Sequence, residues 1–202
     1  MQSDMLIAAA ESLPQSMTPC SGAPRSTSGG TVLVGYGAVE ELTRFAATPG
    51  WTVHAPGHPV EVRGIVLAAV ASGERAYVHV SADSNAEPHG GTEGFALVRE
   101  GLDGVVLAVG ATLDPILRAT EGLDLTVLYA ATIRPFDEVG LRTAALAADQ
   151  ADLVLVEPGL PGTSAPQIAR TLVHVPHRLL ALGGTDVRDE EALGRAVRGF
   201  LR

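Results

Sequence analysis

The chain has 202 residues, 46% hydrophobic and only 4% aromatic, so a sizeable core is expected and must be built from Ala, Val and Leu. Its formal net charge of -9 repels phosphate backbones, which argues against a nucleic-acid partner. All 14 basic residues are Arg, so neither a phosphate-loop lysine nor a Schiff-base lysine exists, and the single Cys20 rules out a disulfide or thiolate cluster within one chain.

No apolar run approaches the roughly 18 residues of a membrane span. Met5–Ala10 is apolar, but Asp4 and no basic residue precedes it, so a secretory signal is not expected. A cytoplasmic α/β protein without a membrane partner is the simplest expectation.

Residues 1–30, rich in Ser, Pro, Gly and Thr, read as a poorly ordered tail with one or two helical turns over 5–13. From Thr31 the pattern becomes regular. "TVLVGYG" predicts a strand into a glycine turn, "AVEELTRFAA" a helix and "WTVHAP" a second strand. "HPVEVRGIVLAAVASG" predicts a helix with Pro59 in its first turn and a stop at Gly73, and "RAYVHVS" a third strand. These make a first lobe over 31–84. Residues 85–100, polar and full of turn formers at their start, read as a linker.

The second lobe, 101–202, alternates strand and helix. Its strands are "GVVLAVG", "LTVLYAATI", "DLVLVEP" and "HRLLALG". Its helices are "LDPILRATEG", "PFDEVGLRTAALAADQ", "APQIARTLV" and "DEEALGRAVRGFL". Nearly continuous apolar strands imply helices on both faces and a mostly parallel sheet, hence a three-layer αβα arrangement. Leu125–Ile133 reads as one buried strand ended by Arg134-Pro135, with Asp137 and Glu138 in the first turn of the next helix.

Gly35 and Gly37 after a strand invite a dinucleotide reading. Glu40 occupies the position where that fingerprint needs Gly or Ala, and no acid ends the second strand about 20 residues on. The six histidines form no HExxH pair, and His174 and His177 flank Pro176 on a loop. His79 on its strand reads as a packed residue. Ser81 and Ser84 follow a strand end, where polar residues line clefts or merely close turns. In "EPGLPGTSAPQIA" the glycines could expose N–H groups to an anion, but Thr163 or Ser164 acting as an N-cap is the simpler expectation.

Taken together, "VEELTRFAATPGWTVHAPGHPVEV", "AYVHVS", "GVVLAVGATLDPILRA", "TIRPFD" and "VLVEPGLPGTSAPQIA" resemble, in order and spacing, the second half of transketolase-type, thiamine-diphosphate-dependent enzymes. The resemblance implies a truncated pyrimidine-binding lobe followed by the family's carboxy-terminal domain. It implies a two-carbon ketol transferase subunit, inactive alone, because the chain has neither the GDG…N segment for Mg²⁺-bound diphosphate nor the half carrying the activating glutamate. This chain by itself is thus expected to bind no cofactor. Thiamine diphosphate and Mg²⁺ are implied only if a partner completes the site, either a second copy in a homodimer or a complementary cofactor-binding chain. The candidate substrate-binding side chains are Tyr36, His58 and Ser81. Tyr36 stands where the sugar-phosphate enzymes have His, and Ser81 is followed by Ala82 where they have a phosphate-gripping Arg. The alternative function is a non-catalytic assembly module.

Overall fold

The computed structural model describes residues 17–19, 30–37, 39–90, 93–187 and 189–202. The first sheet takes β1 (Met17–Pro19), β2 (Thr31–Tyr36), β3 (Thr52–His54) and β4 (Arg75–Val80), with α1 (Val39–Ala47) and α2 (Pro59–Ser72) between its strands. The second takes β5 (Ala96–Arg99), β6 (Val105–Val109), β7 (Thr126–Ala130), β9 (Leu153–Glu157) and β10 (Leu179–Gly183). The helices α3 (Leu113–Ala119), α4 (Glu138–Ala147), α5 (Ala165–Thr171) and α6 (Glu190–Phe200) accompany it, with 3-10 turns at Gly110–Thr112 and Gly184–Val187.

The expected α/β class is found. The second sheet runs β10-β9-β6-β7-β5, parallel except for β5 against β7. The central strands β6, β7 and β9 are buried at every residue, as continuous apolar runs covered on both faces should be. Residues 96–99, in the stretch read as a linker, form the edge strand β5. Of the first 30 residues, read as a tail, Met17–Pro19 pair in parallel with β2; the turns expected at 5–13 lie outside the described residues.

The run read as one strand from Leu125 to Ile133 is two. β7 lies in the second sheet, while β8 (Thr132–Arg134) pairs antiparallel with β3 and completes the first, in the order β1-β2-β4-β3-β8. The crossing falls at Ala131, whose carbonyl accepts the Ala55 N–H at 2.8 Å. All of 125–133 is buried, Thr126 and Thr132 included, so no exposed residue marks the change of sheet. The peptide bond from Arg134 to Pro135 is cis. The next helix begins at Glu138 rather than Pro135; Asp137 is its N-cap, accepting from the Gly140 N–H at 2.8 Å and from the Phe95 N–H at 2.9 Å.

The sheets share one interior. Val32, Ile65 and Val78 cluster with Val106, Ile116 and Val154 on one side. Leu42, Trp51 and Tyr77 cluster with Leu107, Ile133 and Leu155 on the other. Phe45 stacks on Tyr77 with ring centroids 4.4 Å apart and lies 4.7 Å from Trp51. Gly57 and Gly110 allow the sheets' loops to meet. A Cβ on Gly57 would sit 2.2 Å from Asn85 Nδ2, and one on Gly110, where φ is 63, would sit 2.5 Å from the Ala55 carbonyl oxygen. Among the described residues no helix is long and apolar enough to cross a membrane.

Candidate functional site

The carboxyl ends of both sheets' strands open into one cleft of about 590 Å³. Gly37 follows β2, Ser81 follows β4, Thr112 follows β6, Pro158 follows β9 and Gly184 follows β10. Parallel α/β sheets place ligands at such ends. A recess of about 30 Å³ adjoins it across the loop from Ser81 to Ser84 and is lined by His58 and Ser81.

Of the candidate side chains, the structure therefore brings His58 and Ser81 together. His58 is the N-cap of α2, its Nδ1 accepting from the Val60 N–H at 3.2 Å. Ser81 Oγ accepts from the Asp83 N–H at 3.1 Å, which closes a turn. Tyr36, 64% exposed at the end of β2, lines neither cavity. Ser84 donates to the carbonyls of Gly57 and Asn85 at 3.3 and 3.0 Å. Buried Asn85 then bridges the lobes, its Nδ2 donating to the Gly110 carbonyl at 3.1 Å.

The most connected polar group beside the recess went unnoticed in the sequence. Glu61, 5% exposed on α2, accepts from the Gly57 N–H at 2.9 Å and the Tyr129 hydroxyl at 2.5 Å through Oε2. Its Oε1 accepts from His89 and Gly90 N–H at 2.7 and 2.9 Å. The Tyr129 hydroxyl also accepts from Gly57 N–H at 2.8 Å. Burial, then the Glu61 carboxyl, raises the Tyr129 pKa and keeps the phenol protonated. The available signal was the single carboxyl of α2 and the single aromatic hydroxyl of β7; together they satisfy each other.

The glycine loop after β9 is also built differently from a helix cap. Ser164 makes no side-chain cap bond; instead its N–H donates to Glu157 Oε1 and Oε2 at 3.1 and 3.3 Å. Glu157 is 1% exposed, and burial pushes its carboxyl up to about 6 although Ser164 and Arg134 oppose the shift. Arg134 spans the junction. Its Nε donates to the Ala46 carbonyl at 3.1 Å and its Nη2 to the Thr163 carbonyl at 3.3 Å, with the Ile133 carbonyl a further partner. The loop thus closes on its own acid and a framework arginine.

Burial lowers His54 and His79 to about 4, with Glu74 opposing the shift at His54. His54 Nδ1 bonds Thr132 Oγ1 at 2.9 Å, tying β3 to β8. Depressed values mean that the native state resists protonation: the stabilisation is complete above the unfolded value of 6.5 and is lost as pH falls towards 4. Glu157, raised from 4.5 to about 6, has the opposite sign; its contribution is present below 4.5 and lost as pH rises through 6. Over the whole range each histidine is worth about 3 kcal/mol and Glu157 about 2 kcal/mol. Stability is therefore expected to fall by about 2–3 kcal/mol from pH 7 to pH 5. Urea midpoints at the two pH values and constant salt check this; a flat or rising profile refutes it.

Among the described residues no three His, Cys, Asp or Glu side chains stand together as metal ligands.

The architecture is that of the carboxy-terminal part of transketolases, with mostly parallel sheets and flanking helices. A split-gene transketolase described as an inactive β4 tetramer superposes with TM-score 0.69 at 20% identity, covering 85% of this chain and 66% of that one. Transketolases from Pichia stipitis and Campylobacter jejuni give TM-scores of 0.61 and 0.57 at 14% and 16% identity. They cover 85% and 84% of this chain but only 30% and 31% of their own. At such identities the likeness speaks to fold. In sequence, an uncharacterized 33.6 kDa protein in the fasciation locus of Rhodococcoides fascians is 47% identical over 169 residues, 76% of this chain and 54% of that protein. The chain thus spans about half the length of the curated relative it matches. No family model matches.

Proposed function

We propose that the chain is a transketolase-type subunit that supplies a truncated pyrimidine-binding lobe and the carboxy-terminal domain, and that a complementary chain supplies the thiamine diphosphate and Mg²⁺ site of a ketol transferase. One observation carries this reading: the fold of a split-gene transketolase runs through 85% of the chain. Tyr36, His58 and Ser81 are the side chains assigned to the substrate, and the working compartment is the cytoplasm. Ala82 after Ser81 offers no charged fork to a substrate phosphate.

The test is direct. The isolated chain with thiamine diphosphate and Mg²⁺ should not turn over xylulose 5-phosphate with ribose 5-phosphate. Adding a chain that carries the diphosphate-binding half should produce ketol transfer. Robust turnover by the isolated chain overturns the reading, as does persistent inactivity of a verified complex towards any ketose donor.

A second reading is a non-catalytic assembly module. It is favoured by α2, whose outer face exposes Val60 and Leu67, seven residues apart, beside Arg63. Association into a homodimer or larger species without gain of activity, followed by light scattering, would select it.

A further inference from the structure

The edges of the two sheets are not alike. β1, three residues long, ends in Pro19. β8, also three residues, carries Arg134 before Pro135 and a register break against β3. β5 carries Arg99 and a register break against β7. Short length, proline, charge and bulges each keep a second chain from adding to an open edge. β10 has none of them. It runs for five residues, without charge or proline, in unbroken register with β9. Leu179 to Leu182 are half-buried, whereas every residue of β9 is buried.

The backbone of β10 is what calls for a partner. The Leu153 N–H donates to the Arg178 carbonyl at 2.9 Å. Backbone groups alternate sides along a strand, so Leu180 and Leu182 also turn theirs to β9, while Leu179, Ala181 and Gly183 turn theirs outward. Among the described strands β10 pairs with β9 alone, and among the described residues no other backbone hydrogen bond reaches Leu179 or Ala181. Such a row of donors and acceptors is matched by the edge of another strand.

A second β10 matches it by symmetry. Run antiparallel about Ala181, two copies set Ala181 against Ala181, Leu179 against Gly183 and Leu180 against Leu182. The outward-facing residues then fall opposite one another as hydrogen-bonded pairs. Leu180 and Leu182 meet across the join on the face where both already pack against the core of their own chain. Small Ala181 sits on the axis, and no charge on the strand is brought against its like.

We infer that two copies of the chain join edge to edge through β10, antiparallel about Ala181, so that their five-stranded second sheets run on as one. The contact rests neither on ketol transfer nor on the outer face of α2.

The purified full chain is followed by analytical ultracentrifugation over a concentration series, with amide exchange at Leu179 and Ala181 read by NMR. The chain should dimerise, and both amides should gain protection as the dimer forms. Ala181→Pro removes an outward N–H from an edge strand, a place that tolerates proline, so the monomer should fold while its dimer dissociation constant rises about tenfold or more. If Ala181→Pro does not fold, Ala181→Cys in a Cys20→Ser background decides, because its thiols meet at the axis and should cross-link under mild oxidation. Four results overturn the assignment: a chain that stays monomeric, protection of both amides that is independent of concentration, a dimer broken by Leu67→Arg on α2 but not by Ala181→Pro, or no cross-link from Ala181→Cys.

Discussion

Glu61→Ala is expected to lower the unfolding free energy by about 4 kcal/mol at pH 7, a severe loss for a point substitution. The buried Glu61 carboxylate takes four donors: the N–H groups of Gly57, His89 and Gly90 and the hydroxyl of Tyr129. Those donors come from three places, namely the turn before α2, the segment after β4, and β7 of the second sheet. Truncation leaves them facing a small void. Each buried donor without an acceptor costs about 1–3 kcal/mol, reduced where water enters. Two controls separate this from loss of packing. Tyr129→Phe removes one donor and should cost only about 1–2 kcal/mol. Glu61→Gln keeps the shape but turns an NH₂ towards a donor, so it should recover only part of the loss. Trp51, buried in the core, reports unfolding by fluorescence in urea. A loss below about 1 kcal/mol for Glu61→Ala would mean that the network contributes no more than an average exposed contact.

This network also marks where sequence reasoning reaches and where it stops. The strands β6 and β9 were legible because unbroken runs of Val and Leu have one stable setting, the interior of a parallel sheet. Helix α2 was legible from Pro59 at its start and Gly73 at its end, where the left-handed φ of 68 favours glycine. The crossing at Ala131 was not, because burial on both sides of it gives the same apolar signal whichever sheet the strand joins. Glu61 was hidden for a related reason. A carboxyl in a first helical turn already has a local explanation in the helix dipole, so nothing in the spacing calls for donors from residues 57, 89, 90 and 129. His79 read as a packed strand residue, and it is packed; that its Nδ1 has no partner depends on which elements the fold brings against β4. Long-range polar pairing is set by topology, and periodicity is blind to it.

Arg134→Ala should cost about 3 kcal/mol at pH 7 and measurably less at pH 5, and the difference between the two identifies what the residue does. Its guanidinium draws together the Ala46 carbonyl at the end of α1, the Ile133 carbonyl on β8 and the Thr163 carbonyl before α5. Truncation strands these acceptors at both pH values. It also removes the positive charge near Glu157, whose carboxyl is already pushed up to about 6 by burial. Without Arg134 the charged Glu157 becomes costlier, so its pKa rises further. At pH 7 the folded variant must then either bury an uncompensated charge or take up a proton; at pH 5 wild type and variant both hold Glu157 protonated, and that part of the penalty vanishes. Arg134→Lys tests geometry against charge. An ammonium retains the electrostatic help to Glu157 but cannot reach three carbonyls from one planar fork, so its deficit should be nearly independent of pH. If Arg134→Ala loses the same free energy at both pH values, Glu157 takes no benefit from the arginine. If it loses none, the junction from Leu128 to Leu141 is held by packing alone. The expected pattern instead makes Arg134 a tie between α1, the first sheet and the loop after β9, a framework role just beyond the point where the chain passes from one sheet to the other.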